Sequence, residues 1–173
     1  MRKTLTSIII LCVIGLAIFF QANLLEEIPL NGTSANIGIV LVASVGLMCG
    51  KLVGGLTGAT YGLIYDIAFG RAVGIYFGLY LLMGIISGLL TKNFSKDNKL
   101  SMVLFISIVT AIFEMVLYLF FVITRAYQFD LQGVILIIAK EVIYNNFLVI
   151  ILYKFFIWFG EMINRAKNSY YLL

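Results

Sequence analysis

The chain has 173 residues, of which 62% are hydrophobic and 12% are charged, and its formal net charge is +4. Soluble domains carry about 25% charged residues, so this composition indicates an integral membrane protein with no length left for a soluble domain. The sequence has no histidine, and its two cysteines lie in separate apolar runs. A histidine base, a Ser-His-Asp triad and most zinc sites are therefore excluded, and we expect neither a metal nor a cofactor.

Six apolar runs predict a single all-α polytopic domain, residues 1–173, with six transmembrane helices. The first run follows Arg2 and Lys3 as in a signal peptide, but its length and poor cleavage site favour an uncleaved helix. The second and third runs are short, so we expect tilted or partly broken helices that meet in a turn at Lys51. A short amphipathic tail follows the sixth run. The predicted spans are residues 5–22, 37–49, 52–69, 72–90, 100–123 and 133–159.

Lysine and arginine are distributed unevenly between the two sides of the predicted membrane domain. If both termini are cytoplasmic, the outer side holds only Arg71 and Arg125, and nine basic residues lie inside. This positive-inside bias predicts an even number of spans with cytoplasmic N- and C-termini. Because the basic residues stand at the ends of apolar runs, they indicate membrane topology and not a nucleic-acid surface. The inner set is Arg2, Lys3, Lys51, Lys92, Lys96, Lys99, Lys154, Arg165 and Lys167.

Glycines recur at steps of four through the second, third and fourth runs. They occupy positions 46, 50, 54, 58 and 62 and then 70, 74 and 78, and Asp66 stands at the missing step. Small residues at this spacing let helices approach closely in lipid, so we predict internal packing in preference to an external partner surface. Gly84 and Gly88 of the fourth run are predicted to supply the opposing face. Asp66 is predicted to accept backbone N–H groups of the following turn or to cap the fourth helix.

Besides Lys154, which belongs to the inner basic set, four charges lie within the predicted spans: Asp66, Glu114, Lys140 and Glu141. With a rise of about 1.5 Å per residue and a hydrocarbon core of about 30 Å, the first three fall in the outer third of the bilayer. We hypothesise one polar cluster in which Lys140 pairs with Glu114, Asp66 or both. One helical turn on, Tyr144 follows Lys140 and Asn145 follows Glu141. Contacts between helices or with a partner are the favoured interpretation, and a ligand pocket is the alternative.

The segment Gly54-Gly-Leu-Thr-Gly58-Ala-Thr-Tyr-Gly62-Leu-Ile-Tyr-Asp66, with glycines just after it, resembles the third span of MreD, the rod shape-determining membrane protein of bacteria. The Tyr144-Asn145 pair is similar to a Tyr-Asn pair in the last span of that family. The family's frequent Pro-Asp/Asn start to the second span is reduced here to Ala35-Asn36.

This resemblance implies a non-catalytic scaffold of the cell-shape and peptidoglycan elongation machinery in the bacterial cell membrane. The implied fold is similar to the S components of energy-coupling-factor transporters. The implied partners are an MreC-like membrane protein, MreB, and RodA with a class B penicillin-binding protein, besides membrane lipid. The structural and partner-facing residues that it implies are Gly54, Gly58, Gly62, Asp66, Gly70, Tyr144 and Asn145. Gly74, Glu114, Lys140 and Glu141 complete the candidate set.

The main alternative is an S component that binds a small molecule such as a vitamin, since a cluster near the outer face is where such a pocket would open. The outer loops are short, however, and the one tryptophan, Trp158, lies at the inner end of the sixth run. An intramembrane enzyme is disfavoured, because a carboxylate cluster without a histidine or a nucleophile motif defines no reaction.

Overall fold

The structure, a computed structural model, describes residues 2–25, 33–69, 74–92, 98–125 and 130–168. Within these residues, the prediction of an all-helical fold with six helices is confirmed. A π-helical turn, Gln21–Leu25, extends the first helix, and a 3-10 turn, Leu90–Lys92, extends the fourth. The six helices are α1 (Arg2–Phe20), α2 (Ile37–Cys49), α3 (Lys51–Phe69), α4 (Ile75–Leu89), α5 (Lys99–Ile123) and α6 (Leu131–Asn168).

Helix α2 is the centre of the bundle. It has 13 residues, and all of them from Gly38 to Cys49 are buried. The other five helices surround it in the order α1, α3, α4, α5, α6. The contact between α3 and α4 is the most extensive in this ring, and that between α4 and α5 is the least. Because α2 is apolar on every side, it has no face suited to water, as is typical of a core helix.

Both ends of α2 are fixed by residues of specific conformation. Asn36 caps the first turn, where its Oδ1 accepts a hydrogen bond from the Ile39 N–H at 3.2 Å. Gly50 ends the helix with a φ of 90°, which a side chain would disfavour, and its N–H donates to the Gly46 carbonyl oxygen. Helix α3 begins at the next residue, Lys51. The predicted turn thus exists, but its hinge is Gly50 and not Lys51, since the reversal needs a positive φ.

Glycines bring α3 into backbone contact with α4. A Cβ atom on Gly54 would lie 2.5 Å from the Gly84 carbonyl oxygen, and one on Gly58 would overlap the Tyr80 carbonyl group. The predicted opposing face is therefore confirmed, and this packing is internal to the chain. The glycines that allow the close approach are Gly54, Gly58, Gly62, Gly84 and Gly88, and Gly46 allows a similar approach of α2 to α4.

The outer surface of the bundle is apolar, as expected of a membrane protein. On α3, for example, Leu52, Leu56 and Ile67 are each at least 70% exposed. Helices α3, α5 and α6 are long and apolar enough to cross a bilayer, whereas Ser7–Asn23, Ile37–Cys49 and Ile75–Leu89 are apolar but shorter. Helix α6 has 38 residues, or about 57 Å, and continues without a break to Asn168, within the segment predicted to be a short amphipathic tail.

Gly58→Ala is expected to lower the free energy of unfolding by about 1–3 kcal/mol, since the added methyl group must push α4 away from α3. Gly78→Ala is the matched control, because a Cβ atom at Gly78 meets nothing within 4 Å. This control should be neutral or stabilising by up to about 1 kcal/mol. Unfolding of the purified protein in mixed micelles measures both, and equal effects of the two substitutions would contradict the close approach.

Candidate functional site

Asp66 binds the first turn of α4. Its Oδ2 accepts hydrogen bonds from the N–H groups of Gly74 and Phe77 at 2.8 and 2.9 Å, and its Oδ1 accepts one from Tyr76 at 3.2 Å. Asp66 is 1% exposed, so these bonds form away from water. The carboxylate also lies at the positive end of the α4 dipole. The predicted capping of the fourth helix by Asp66 is confirmed, with Gly74 as the left-handed residue at its start.

A row of polar side chains joins α5 to α6. Ser107 and Asn146 exchange hydrogen bonds, with the shorter at 2.8 Å, and Asn145 Nδ2 donates to Thr110 Oγ1 at 3.0 Å. One turn further along α5, the side chain of Glu114 meets that of Glu141. The face of α5 predicted from the spacing of Ser107, Thr110, Glu114 and Tyr118 therefore exists, and it packs against α6.

The polar side chains between α5 and α6 also form hydrogen bonds with the start of the central helix, α2. The backbone N–H of Asn36 donates to Asn145 Oδ1 at 2.7 Å, and the Tyr80 hydroxyl of α4 donates to Asn36 Oδ1 at 2.8 Å. The carboxyl group of Glu141 lies close to the side chains of Asn36 and Asn145. These contacts connect four helices inside the bundle. We name the group the polar core; its members are Asn36, Tyr80, Thr110, Glu114, Glu141 and Asn145.

Gln21 adds a connection from α1. Its Nε2 donates to the Ala35 carbonyl oxygen at 3.2 Å, and its Oε1 accepts from the Ile37 N–H at 3.0 Å. Gln21 is 3% exposed and begins the π-helical turn at the end of α1. The backbone on both sides of Asn36 is thus satisfied by a side chain, which an apolar interior requires.

The chemistry of the polar core follows from its two carboxyl groups. Two carboxylates that lie side by side in an apolar interior repel each other when both are ionised, so the pair Glu114 and Glu141 favours holding one proton. The start of α2 lies beside them, and its helix dipole favours negative charge there. The arrangement is suited to holding a proton or a small polar or cationic ligand. Among the residues that the structure describes, no group of three or more His, Cys, Asp or Glu side chains is placed to hold a metal ion.

The two acids of the single cluster proposed for Asp66, Glu114 and Lys140 have different neighbours. Asp66 accepts hydrogen bonds from the start of α4, and the side chain of Glu114 lies beside that of Glu141. The proposed pairing of Lys140 stays a prediction. The rise per residue predicted that the three residues lie at the same depth in the membrane. It does not predict towards which neighbouring helix each side chain points. Lys140 and Tyr144 are half-buried on α6.

The other candidate residues have different positions. Gly54, Gly58 and Gly62 form the interface between α3 and α4, and Glu141 and Asn145 lie in the polar core. Gly70 is outside the described residues.

Gln21 and Tyr80 were missed as site residues, and Asn36 was considered only for the turn before α2. The sequence contains a weak signal for Gln21 and Asn36 and none for Tyr80. Gln21 is a lone amide at the end of an apolar run, and Asn36 is a good cap residue directly before one. Tyr80 is one of ten tyrosines, and its hydroxyl is distinguished only by its burial, which no sequence pattern shows.

Comparison with known families gives one match. A family model described as 5TMR of 5TMR-LYT matches residues 1–156, which include α1 to α5 and the larger part of α6. Comparisons with curated proteins and with solved structures find no significant match. The resemblance to MreD is wrong, because the matching family is a different one. Glycines at steps of four and pairs of polar residues support helix packing in unrelated membrane proteins, so these patterns do not identify one family.

That resemblance was the basis for the scaffold role and for the MreC-like, MreB and RodA partners. Neither the role nor these partners has support without it. The similarity to transporter S components stays a prediction.

Asp66→Leu is expected to destabilise the protein by about 3 kcal/mol or more, since it leaves buried N–H donors of α4 without an acceptor. Asp66→Asn keeps one acceptor oxygen and should cost about 1–2 kcal/mol. Unfolding in mixed micelles distinguishes the two. If both variants lose the same stability, the negative charge is the essential property and not the hydrogen bonding.

Asn145→Ala is expected to cost about 2–4 kcal/mol, because the buried Asn36 N–H and the Thr110 hydroxyl both lose their partner. Asn146→Ala is the neighbouring control. Asn146 is only half-buried and bonds to Ser107, so about 1 kcal/mol is expected. Equal costs in the same unfolding assay would argue against a special role of the polar core in stability.

Proposed function

Because the chain belongs to the 5TMR family of 5TMR-LYT proteins, we propose that it is a membrane-embedded receptor module whose sensing element is the polar core. The family name refers to the 5TM receptor of LytS-type histidine kinases. The observation that carries the proposal is the meeting of two carboxyl groups inside an apolar bundle, with Glu141 only 6% exposed. Ionisable residues within a membrane are costly and commonly mark a site of function.

Helix α6 supplies the route by which the site acts on the opposite end of the bundle. It carries Glu141 and Asn145 near its start, and further along it Asn164 Nδ2 donates to the Met48 carbonyl oxygen at the end of α2 at 3.0 Å. Gly160 also packs against the Met48 side chain. A ligand that replaces the Glu141 contacts with Asn36 shifts the balance between two positions of α6 along α2. The ligand acts through its different affinity for those two positions.

We also propose six crossings of the bacterial cytoplasmic membrane with both termini in the cytoplasm. The distribution of basic residues supports an even number of crossings. Helix α2 is about 20 Å long, shorter than the hydrocarbon core. A short central helix can still cross, because the polar segment before it is enclosed by protein: Ala35 is 8% exposed and Gln21 satisfies the backbone beside it.

The receptor proposal is tested by ligand-dependent stability. The purified protein in detergent is screened by thermal unfolding against a set of polar metabolites and inorganic cations at constant ionic strength. A compound present at 100 times its Kd should stabilise the protein by about 2.7 kcal/mol. Glu141→Gln should abolish the stabilisation by that compound, because the amide cannot carry the negative charge.

Glu161→Gln is the matched control on the same helix. Glu161 is exposed and forms its ion pair with Arg165 at 3.1 Å, away from the polar core. This variant should respond to the compound like the unmodified protein. The receptor proposal fails if no compound stabilises the protein, or if Glu141→Gln responds as strongly as Glu161→Gln.

A further inference from the structure

An open groove separates α4 from α5 on the surface of the bundle. It has a volume of about 220 Å³ and exists because these two helices make the least contact of any neighbours in the ring. Its walls are apolar and include Leu79 and Met83 of α4 and Val109, Ile112 and Val116 of α5. A groove on this surface opens to the hydrocarbon of the bilayer and not to water.

One polar group lines the groove. Ser87 is 1% exposed, and its hydroxyl has no hydrogen-bond partner within the described part of the chain. It lies just before the end of α4 at Leu89, so it is close to one face of the membrane. A buried hydroxyl without a partner is costly, and a carbonyl oxygen supplied by the occupant of the groove would satisfy it.

Positive charge lies at the same end of the bundle. Lys51 begins α3, and the backbone of Lys51 packs against Gly88, directly after Ser87. Lys99 begins α5, and its Nζ lies 5.3 Å from the centre of the Tyr153 ring. Both lysines are exposed. The two lysines place positive charge at the membrane face where the Ser87 end of the groove lies, and this charge favours an anionic head group there.

We propose that the groove between α4 and α5 binds one acyl chain of an anionic phospholipid. The chain lies along Met83 and Ile112, an ester carbonyl accepts the Ser87 hydroxyl, and the phosphate lies near Lys51 and Lys99. This lipid site is separate from the polar core and does not depend on the receptor proposal.

The polarity of the groove favours a lipid chain over a transmembrane helix. A helix packed on this face would insert only side chains, and its own carbonyl groups are bonded within the helix, so the Ser87 hydroxyl would gain no backbone acceptor. The ester carbonyl of a lipid has no such partner and can accept it. The groove has a volume of about 220 Å³. A flexible single chain can enter such a space, and the nearby lysines add a preference for a negative head group.

The test compares two tryptophan variants of α5. The protein is reconstituted in nanodiscs that contain equal amounts of phosphatidylglycerol and phosphatidylcholine with identical chains. It is then extracted in mild detergent, and retained lipid is identified by native mass spectrometry. Ile112 and Ile108 are both 59% exposed and one turn apart, but only Ile112 lines the groove. They are therefore a matched pair.

We expect the unmodified protein and Ile108→Trp to retain one phosphatidylglycerol molecule each. Ile112→Trp should lower this occupancy about tenfold, because overfilling a packed space costs more than the ~1.4 kcal/mol that a factor of ten requires. Unfolding temperatures of both variants check that they are folded. If Ile112→Trp is not folded, Val116→Phe fills the same groove and replaces it.

The head-group contact is tested by the double variant Lys51→Gln and Lys99→Gln. It should still retain a lipid but should no longer prefer phosphatidylglycerol to phosphatidylcholine.

The lipid site is refuted if the unmodified protein retains no lipid, or if Ile112→Trp and Ile108→Trp retain equal amounts. A dimer that Ile112→Trp converts to a monomer would also refute it, since the groove would then be a protein interface. An unchanged preference in the double variant would overturn the role of the lysines.

Discussion

The structure depends on burying the start of α2, a stretch of polar backbone, inside an apolar bundle. In a membrane no water reaches such a stretch, so each N–H and carbonyl group there needs a partner from the protein. Gln21, Asn36 and Asn145 supply those partners from three separate segments. Their positions fix how α1 and α6 sit against α2.

The constraint on α4 is of a different kind. Its contact with α3 depends on the absence of side chains, since Gly54 and Gly58 let the two backbones meet directly. Asp66 holds the start of α4, and Tyr80, one of its inner residues, donates to the cap of α2. Close packing and polar contacts therefore converge on one helix. This explains why α3 and α4 form the most compact pair in the ring.

Local features of the fold could be predicted from the sequence. The spacing of the glycines predicted the interface between α3 and α4, including Gly84 and Gly88. The position of Asp66 before a turn predicted its role as a helix cap. The partner of Glu114 could not be predicted, because depth along a helix leaves its rotation undetermined. The family was also mistaken, since Tyr144-Asn145 is a short pattern and Asn145 here serves the internal connection to Asn36.

The sparse contact between α4 and α5 has a mechanical consequence. A ring of helices with extensive contacts between all neighbours resists twisting as a closed tube does. A ring in which one pair of neighbours makes few contacts resists twisting much less. Here the pair α5–α6 is attached to the rest chiefly through α2. Separation of α4 from α5 therefore costs the least packing of any change in the ring, whereas the bond between Asn36 and Asn145 opposes a movement of α6 against α2.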